Sequence, residues 1–375
     1  MEVERKIGVL GDGDGPVLFI SGGLHGNEPA GVLALQEVVQ EIQDRKLEIK
    51  GSFYAIAGNL EALKQSKRYI KQDLNRLWKV SILEKLKEGN LSKSAEQVEI
   101  NELIDLFEIV EEALAKNGPH YFIDLHTTSS KTVPFIPVND TLLNRSFTKN
   151  LPIPSVLGIE EFLQGAFLSY TNEYKVVALG FEAGQHEDPE SVYFHKAMIW
   201  LCLLNAGMIQ ESDLPEKASM IEAFKEASSE RAQFYEIRRR FMIESGHRFE
   251  MLNGYESFQS IKKGEHLAYD NEKQIRAIES GNIFMPLYQS QGSEGFFIIR
   301  EVSRFWLWLS SFLRKIQLED FLVKLPGLRR HPKYEGTLIV DLRVARFLAT
   351  ELFHLMGYRR KRKTENEIFF TRREL

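Results

Sequence analysis

The sequence predicts an α/β domain on a largely parallel or mixed sheet with helices on both faces, followed by a small β-rich segment and a C-terminal extension of mixed helix and strand. Two observations carry the first part. Through about residue 210, short apolar runs alternate with amphipathic stretches, the pattern of strands and covering helices. The residues able to do chemistry also stand where the apolar runs stop, and ligands collect at strand ends in such sheets.

In chain order, 17–23 (VLFISGG), 53–59 (FYAIAGN), 121–126 (YFIDLH) and 176–180 (VVALG) read as buried strands. Between them, 30–42 (AGVLALQEVVQEI) and 95–115 carry apolar residues at helical spacing. Residues 209–232 are charged and Ala/Ser-rich and read as a helical connector. From 234 to 301 short alternating runs are broken by Asn253-Gly254, Lys263-Gly264 and Gly281-Asn282, which predicts hairpin-like β structure. Helices are expected at 306–318 and 342–356, and a strand at 367–371. The expected division is 1–210, 234–301 and 302–375. Gly11 to Gly15 (GDGDG) has the glycines of a phosphate loop but no helix after it, so it reads as a turn. The run 359–363 (RRKRK) reads as a solvated stretch after a helix.

Composition excludes several classes. With 375 residues, 43% of them hydrophobic, the chain can bury a sizeable core. Its net charge of −5 provides no overall basic field to recruit nucleic acid or an anionic membrane, and neither is expected as a partner. The single cysteine, Cys202 in AMIWLCLLNAG, rules out an intrachain disulfide and a Cys-rich zinc site, and reads as core. The N-terminal stretch lacks the apolar run of a signal peptide. The most lipid-like segment, 305–313 (FWLWLSSFL), is far short of the roughly 20 residues needed to span a bilayer. A cytoplasmic location is expected.

The strongest chemical signal is His25-Gly26-Asn27-Glu28, directly after a strand. A catalytic zinc commonly takes two His and one carboxylate and keeps one position for water. Gly22, Gly23 and Gly26 relieve the sterics of a sharp turn at that point. A third ligand is then needed at another strand end, and His126, closing YFIDLH, supplies it. Asp124, two residues earlier, is placed to orient a histidine ring from behind.

Four ordered motifs, GGLHGNEPAG, RYIKQDLNRLW, DLHTTSS and GFEAG, resemble the succinylglutamate desuccinylase/aspartoacylase family. The resemblance covers roughly 15–200 closely and 234–301 loosely, and implies the zinc carboxypeptidase-like fold. It implies one zinc ion per chain on His25, Glu28 and His126, and Glu182 as general base and then general acid. Arg68 would stabilise the developing oxyanion, and Asn75 with Arg76 would hold a substrate carboxylate. The expected activity is zinc-dependent deacylation of a small N-acyl amino acid. A metallocarboxypeptidase or peptide amidase would use the same triad, and a binding protein with a dead catalytic domain is the reading from another class; oligomeric state stays open. Two positions depart from the family. Asn172 falls near where aspartoacylase carries a second carboxylate-binding arginine, which argues against N-acetylaspartate as substrate. The tyrosine that aspartoacylase supplies from its C-terminal domain has no clean match, with Tyr288 the one candidate.

Overall fold

The computed structural model describes residues 1–11, 13–228, 231, 233–316, 322–344 and 349–373. The first seven strands are β1 (Lys6–Leu10), β2 (Val17–Gly22), β3 (Ser52–Ala57), β4 (His120–Thr128), β5 (Ile136–Val138), β6 (Ser155–Leu157) and β7 (Val177–Gln185). Then come β8 (Phe234–Met242), β9 (Phe249–Met251), β10 (Ser260–Ile261), β11 (His266–Asp270), β12 (Lys273–Arg276), β13 (Gly281–Phe284) and β14 (Glu294–Glu301). The last four are β15 (Leu328–Arg330), β16 (Thr337–Asp341), β17 (Tyr358–Lys363) and β18 (Glu367–Arg372).

One mixed sheet of eleven strands runs β1-β3-β2-β4-β7-β5-β6-β8-β14-β13-β10. Strands β3, β2, β4 and β7 are parallel neighbours, and β1 pairs antiparallel to β3. Beyond β7 the ladder turns antiparallel to β5, then runs parallel through β6 to β8. The β-rich segment therefore extends the main sheet, and adds a three-stranded sheet β12-β11-β9.

Alternation within β2 shows why helices cover both faces. Val17 and Phe19 join Phe122 and the helix Val98–Leu114 in one core. Leu18 and Ile20 join the helices Ala30–Asp44 and Ser191–Asn205 in the other. Successive strand side chains point to opposite faces, and each fully buried aliphatic or aromatic residue stabilises by about 1.5–3 kcal/mol. Cys202 lies within the second of these cores.

The C-terminal segment forms an antiparallel sheet, β15-β16-β18-β17, with its own core of Leu338, Phe353 and Phe370. A buried ion cluster ties it to the rest. Asp140 Oδ2 lies 2.7 Å from both Arg314 Nη2 and Arg373 Nη1, and Arg373 also meets Glu160 at 2.8 Å and Glu161 at 3.1 Å. Burial opposes the charge of Asp140, but Arg145, 2.5 Å from its Oδ1, together with Arg314 and Arg373 outweighs it and holds its carboxyl well below the usual range.

Several sequence expectations need correction. The strand expected at 176–180 spans Val177–Gln185, so Glu182 sits inside β7. Residues 359–363 form most of β17, the edge strand after the helix Ala349–Leu355, their backbone pairing with β18. Of the helix expected at 342–356, only Ala349–Leu355 is helical, 342–344 is a turn, and 345–348 lie outside the described residues. The helix expected at 306–318 spans Arg304–Ile316, with 317–318 also outside the described residues. Asp12 of the GDGDG turn and 229, 230 and 232 of the connector fall outside as well.

Candidate active site

The site forms where β2, β4 and β7 end side by side. After β2 the chain turns sharply through Gly23, at φ +73°, and Gly26, where an added Cβ would sit 2.0 Å from the Ala62 carbonyl carbon. Only glycine allows that approach. The turn closes with the Glu28 amide donating to the His25 carbonyl at 3.1 Å, which brings both side chains to one side. In the ladder, His126 stands opposite Glu182 on the neighbouring strand. Turn and register together thus bring residues 25, 28, 126 and 182 to one place.

The Glu28 carboxylate lies between the two imidazoles. Its Oε1 is 2.9 Å from His25 Nδ1, and its Oε2 is 2.9 Å from His126 Nδ1. One donor atom from each of His25, Glu28 and His126 falls within 4.8 Å of the others, and all three residues are buried. The far ring nitrogens are held from behind: His25 Nε2 is 3.2 Å from Asp73, and His126 Nε2 is 2.6 Å from Asp124. Asp124 is itself fixed by the Ser21 hydroxyl at 2.8 Å. Carboxylates holding Nε2–H leave both Nδ1 lone pairs for a cation, an arrangement common behind metal-binding histidines. Two imidazoles and a carboxylate also match the donor set zinc prefers, so the residues present fit the ion.

Electrostatics divide the carboxylates. Burial opposes ionisation of Glu28, but His25 and His126 outweigh it and hold its carboxyl well below the usual range. Burial likewise opposes a charged His126, yet Asp124 and Glu28 raise it well above an ordinary imidazole. Glu182 is different: burial pushes its carboxyl up to about 8, with Glu28 and Asp124 adding and His126 and Arg68 opposing. Its Oε2 is buried without a hydrogen-bond partner. Opposed perturbations on neighbouring acids are the usual signature of divided chemical roles.

Arg68 reaches Glu28 Oε1 at 3.4 Å with one nitrogen and Asp73 at 3.3 Å with another. Asp73 caps the short turn Leu74–Arg76, accepting from the Asn75 amide at 2.9 Å. Asn75 accepts from the Phe167 amide at 2.9 Å, so its Nδ2 faces the site, 3.5 Å from His126 Nε2. Arg76 Nη2 lies 3.2 Å from Glu294 of β14. All seven sequence-predicted residues line one cavity, together with Leu163, Leu168, Met285, Leu287 and Phe297.

Asn172 and Tyr288 do not join them. Asn172 donates to the Leu168 carbonyl at 2.7 Å and accepts from Asn144, leaving Leu168 and Ser169 to form the wall there. The Tyr288 hydroxyl is tied to the Leu252 carbonyl at 2.8 Å and the Tyr255 amide at 3.0 Å, away from the cavity. Its neighbour Gln289 enters instead, 3.2 Å from His186, which in turn meets the Thr127 hydroxyl at 2.8 Å. The sequence reading missed Asp73, His186, Gln289 and Glu294. Asp73 lay within the RYIKQDLNRLW motif; the other three carry no local signal.

A large mixed sheet covered by helices, with its polar residues at the parallel strand ends, defines the zinc carboxypeptidase-like fold, which solved relatives share. The structure of succinylglutamate desuccinylase from Vibrio parahaemolyticus superposes with a TM-score of 0.55 at 18% identity, covering 77% of this chain and 83% of that one. The product-bound ectoine utilization protein from Ruegeria pomeroyi gives 0.55 at 18% identity, covering 78% and 88%. Residues 14–196 match the family model described as the succinylglutamate desuccinylase/aspartoacylase catalytic domain. Succinylglutamate desuccinylase from Photorhabdus laumondii is 31% identical over 110 residues, 29% of this chain and 33% of the relative. The counterpart from Pseudomonas aeruginosa is 29% identical over 114 residues, 30% and 32% respectively. The chain thus aligns with about a third of the length of these curated relatives.

Proposed function

We propose that the protein is a zinc-dependent deacylase hydrolysing the amide of a small N-acyl amino acid. The observation that carries this reading is the convergence of His25, Glu28 and His126 beside a buried Glu182 with a free oxygen. The resemblance to desuccinylases supports the reaction type. His25 and His126 through Nδ1, and Glu28, would hold the ion. Zinc there would supply Lewis acidity, polarising an acyl carbonyl and lowering the pKa of water toward about 7. Glu182 accepts the proton of the attacking water and returns it to the leaving nitrogen as the carbon–nitrogen bond breaks. Arg68 offers a fixed cation to the developing oxyanion.

Asn75 and Arg76 hold the substrate carboxylate, the guanidinium as a fork and the amide as a directional donor. An arriving carboxylate shares Arg76 with Glu294. Losing a charge-assisted hydrogen bond costs about 1.5–3 kcal/mol, roughly a 10- to 150-fold fall in kcat/KM. Arg76→Ala is therefore expected to damage acylated amino acids by that factor and to leave their α-amide analogues nearly unchanged. The wall at Leu168 and Leu287 offers a side-chain carboxylate no cation, so N-acetylaspartate is expected to lose to neutral and longer acyl amino acids. The test is a hydrolysis screen of acetyl- and succinyl-amino acids and short peptides with added zinc. A tenfold preference for N-acetylaspartate contradicts the pocket reading, and a preference for peptides contradicts the deacylase reading.

Metal uptake should also move protons. Near neutral pH the raised His126 carries a proton that a bound cation must expel, and Glu182, at about 8, is mostly protonated. Release of about one to two protons per zinc ion at pH 7 is expected, with affinity rising as pH rises toward 8. Calorimetry in buffers of different ionisation enthalpy measures this, and a proton count of zero would show that neither His126 nor Glu182 is protonated before the ion binds.

A further inference from the structure

The helix Arg304–Ile316 leaves most of its aromatic surface uncovered. Phe305, Trp306, Trp308 and Phe312 are 59%, 52%, 61% and 50% exposed. The opposite face is fully engaged: Leu307 packs on the main core, Leu313 on the C-terminal core, and Arg314 on Asp140. The exposed positions 305, 308, 312 and 316 follow the spacing of one helical face, and Arg304 and Lys315 flank them on that face. Trp308 and Phe312 stack at 5.9 Å, and Phe305 lies 6.2 Å from Trp308, so the rings form one continuous stripe. Scattered exposed apolar residues are ordinary; a contiguous aromatic stripe marks a contact surface.

Charge decides what covers it. The net charge of −5 is the sum of two opposite parts: residues 302–375 carry 16 Lys and Arg against 8 Asp and Glu, and residues 1–301 carry 32 against 45. The expectation of no membrane partner rested on the whole-chain value, which hides this basic segment. Two such segments facing each other in a symmetric pair repel, whereas an anionic surface attracts them. Trp and Phe on one face of a helix, flanked by cations, is the composition that settles at the headgroup level of a bilayer. Among the described residues no helix is long and apolar enough to cross a membrane, so the contact is peripheral. We propose that the aromatic face of Arg304–Ile316 docks the protein on an anionic phospholipid surface.

The full chain is tested by flotation with phosphatidylcholine vesicles containing one third phosphatidylglycerol, and with pure phosphatidylcholine. Binding to the anionic vesicles is expected, with a blue shift of tryptophan emission and a loss of binding as salt rises. Trp308→Gln with Phe312→Gln should lower the bound fraction at least about tenfold, and Arg304→Glu with Lys315→Glu should do the same. All four side chains lie outside the active-site cavity, so circular dichroism and hydrolysis of a soluble substrate should match the wild type and report that the fold survives. Equal binding by wild type and variants overturns the proposal, as does no binding to either vesicle. Lipid-free self-association abolished by the same substitutions overturns it in favour of a second copy. Binding to a random DNA duplex, abolished by them while vesicles are ignored, overturns it in favour of nucleic acid.

Discussion

Glu182→Gln is expected to keep zinc and substrate affinity and to lose turnover by about 10²–10⁴-fold, the usual worth of general acid–base work. The amide has the shape of the carboxyl, so β7, its backbone pairing with Phe135 and the cavity wall stay in place. What disappears is a proton acceptor, and the structure makes that acceptor distinctive. The carboxyl is buried, one oxygen has no protein partner, and burial lifts it to about 8. A base must be ionised to act, so wild-type activity should fall as pH drops through the Glu182 pKa. A bound cation beside it favours the charged form and moves that limb below 8. The variant should lack the limb altogether. Zinc content, KM and kcat measured together separate loss of chemistry from loss of metal. Turnover within a few-fold of wild type would assign Glu182 a structural role and send the search for the base elsewhere.

His126→Ala is expected to lose metal and activity together while remaining folded. The substitution removes one of three ligands, and it also strips a partner from two buried acids, Glu28 and Asp124. Breaking a buried pair costs on the order of 3 kcal/mol, so Tm should fall. The surrounding cores contain no part of this cluster, so circular dichroism should keep its native form. Metal analysis after dialysis is the direct measurement; stoichiometric zinc retained by the variant would refute the ligand assignment.

Much of the candidate site was legible because it is local. His25 and Glu28 sit in one turn whose glycines are in the sequence, and His126 closes a visibly apolar strand. Parallel register between β2, β4 and β7 does the rest, and alternating strands and helices predict such a sheet. What stayed hidden is what depends on distant pairing. Glu294 and Gln289 reach the cavity only because β8 and β14 continue the main sheet, and no local pattern announces a partner 218 residues away. Strands β5 and β6 have three residues each, too short for periodicity to register. Tyr288 shows a related limit: counting positions along the chain locates a backbone, but which side chain enters was decided one residue on, at Gln289. The basic character of the C-terminal segment was legible and was lost by averaging over the whole chain.

The continuity of the eleven-stranded sheet sets a mechanical limit on how this cavity can work. One wall rises from β4 and β7, and the other, with Glu294 and Phe297, from β14; between them β5, β6 and β8 pair in succession. Swinging one wall from the other means tearing the parallel pairing of Val156 with Tyr235 and its neighbours, bonds whose groups would then need water in the middle of a sheet. A clamshell cycle is therefore closed to this molecule. Any widening of the mouth therefore falls to the segments that line it outside the strands, 158–166 and 285–293, and not to a hinge within the sheet.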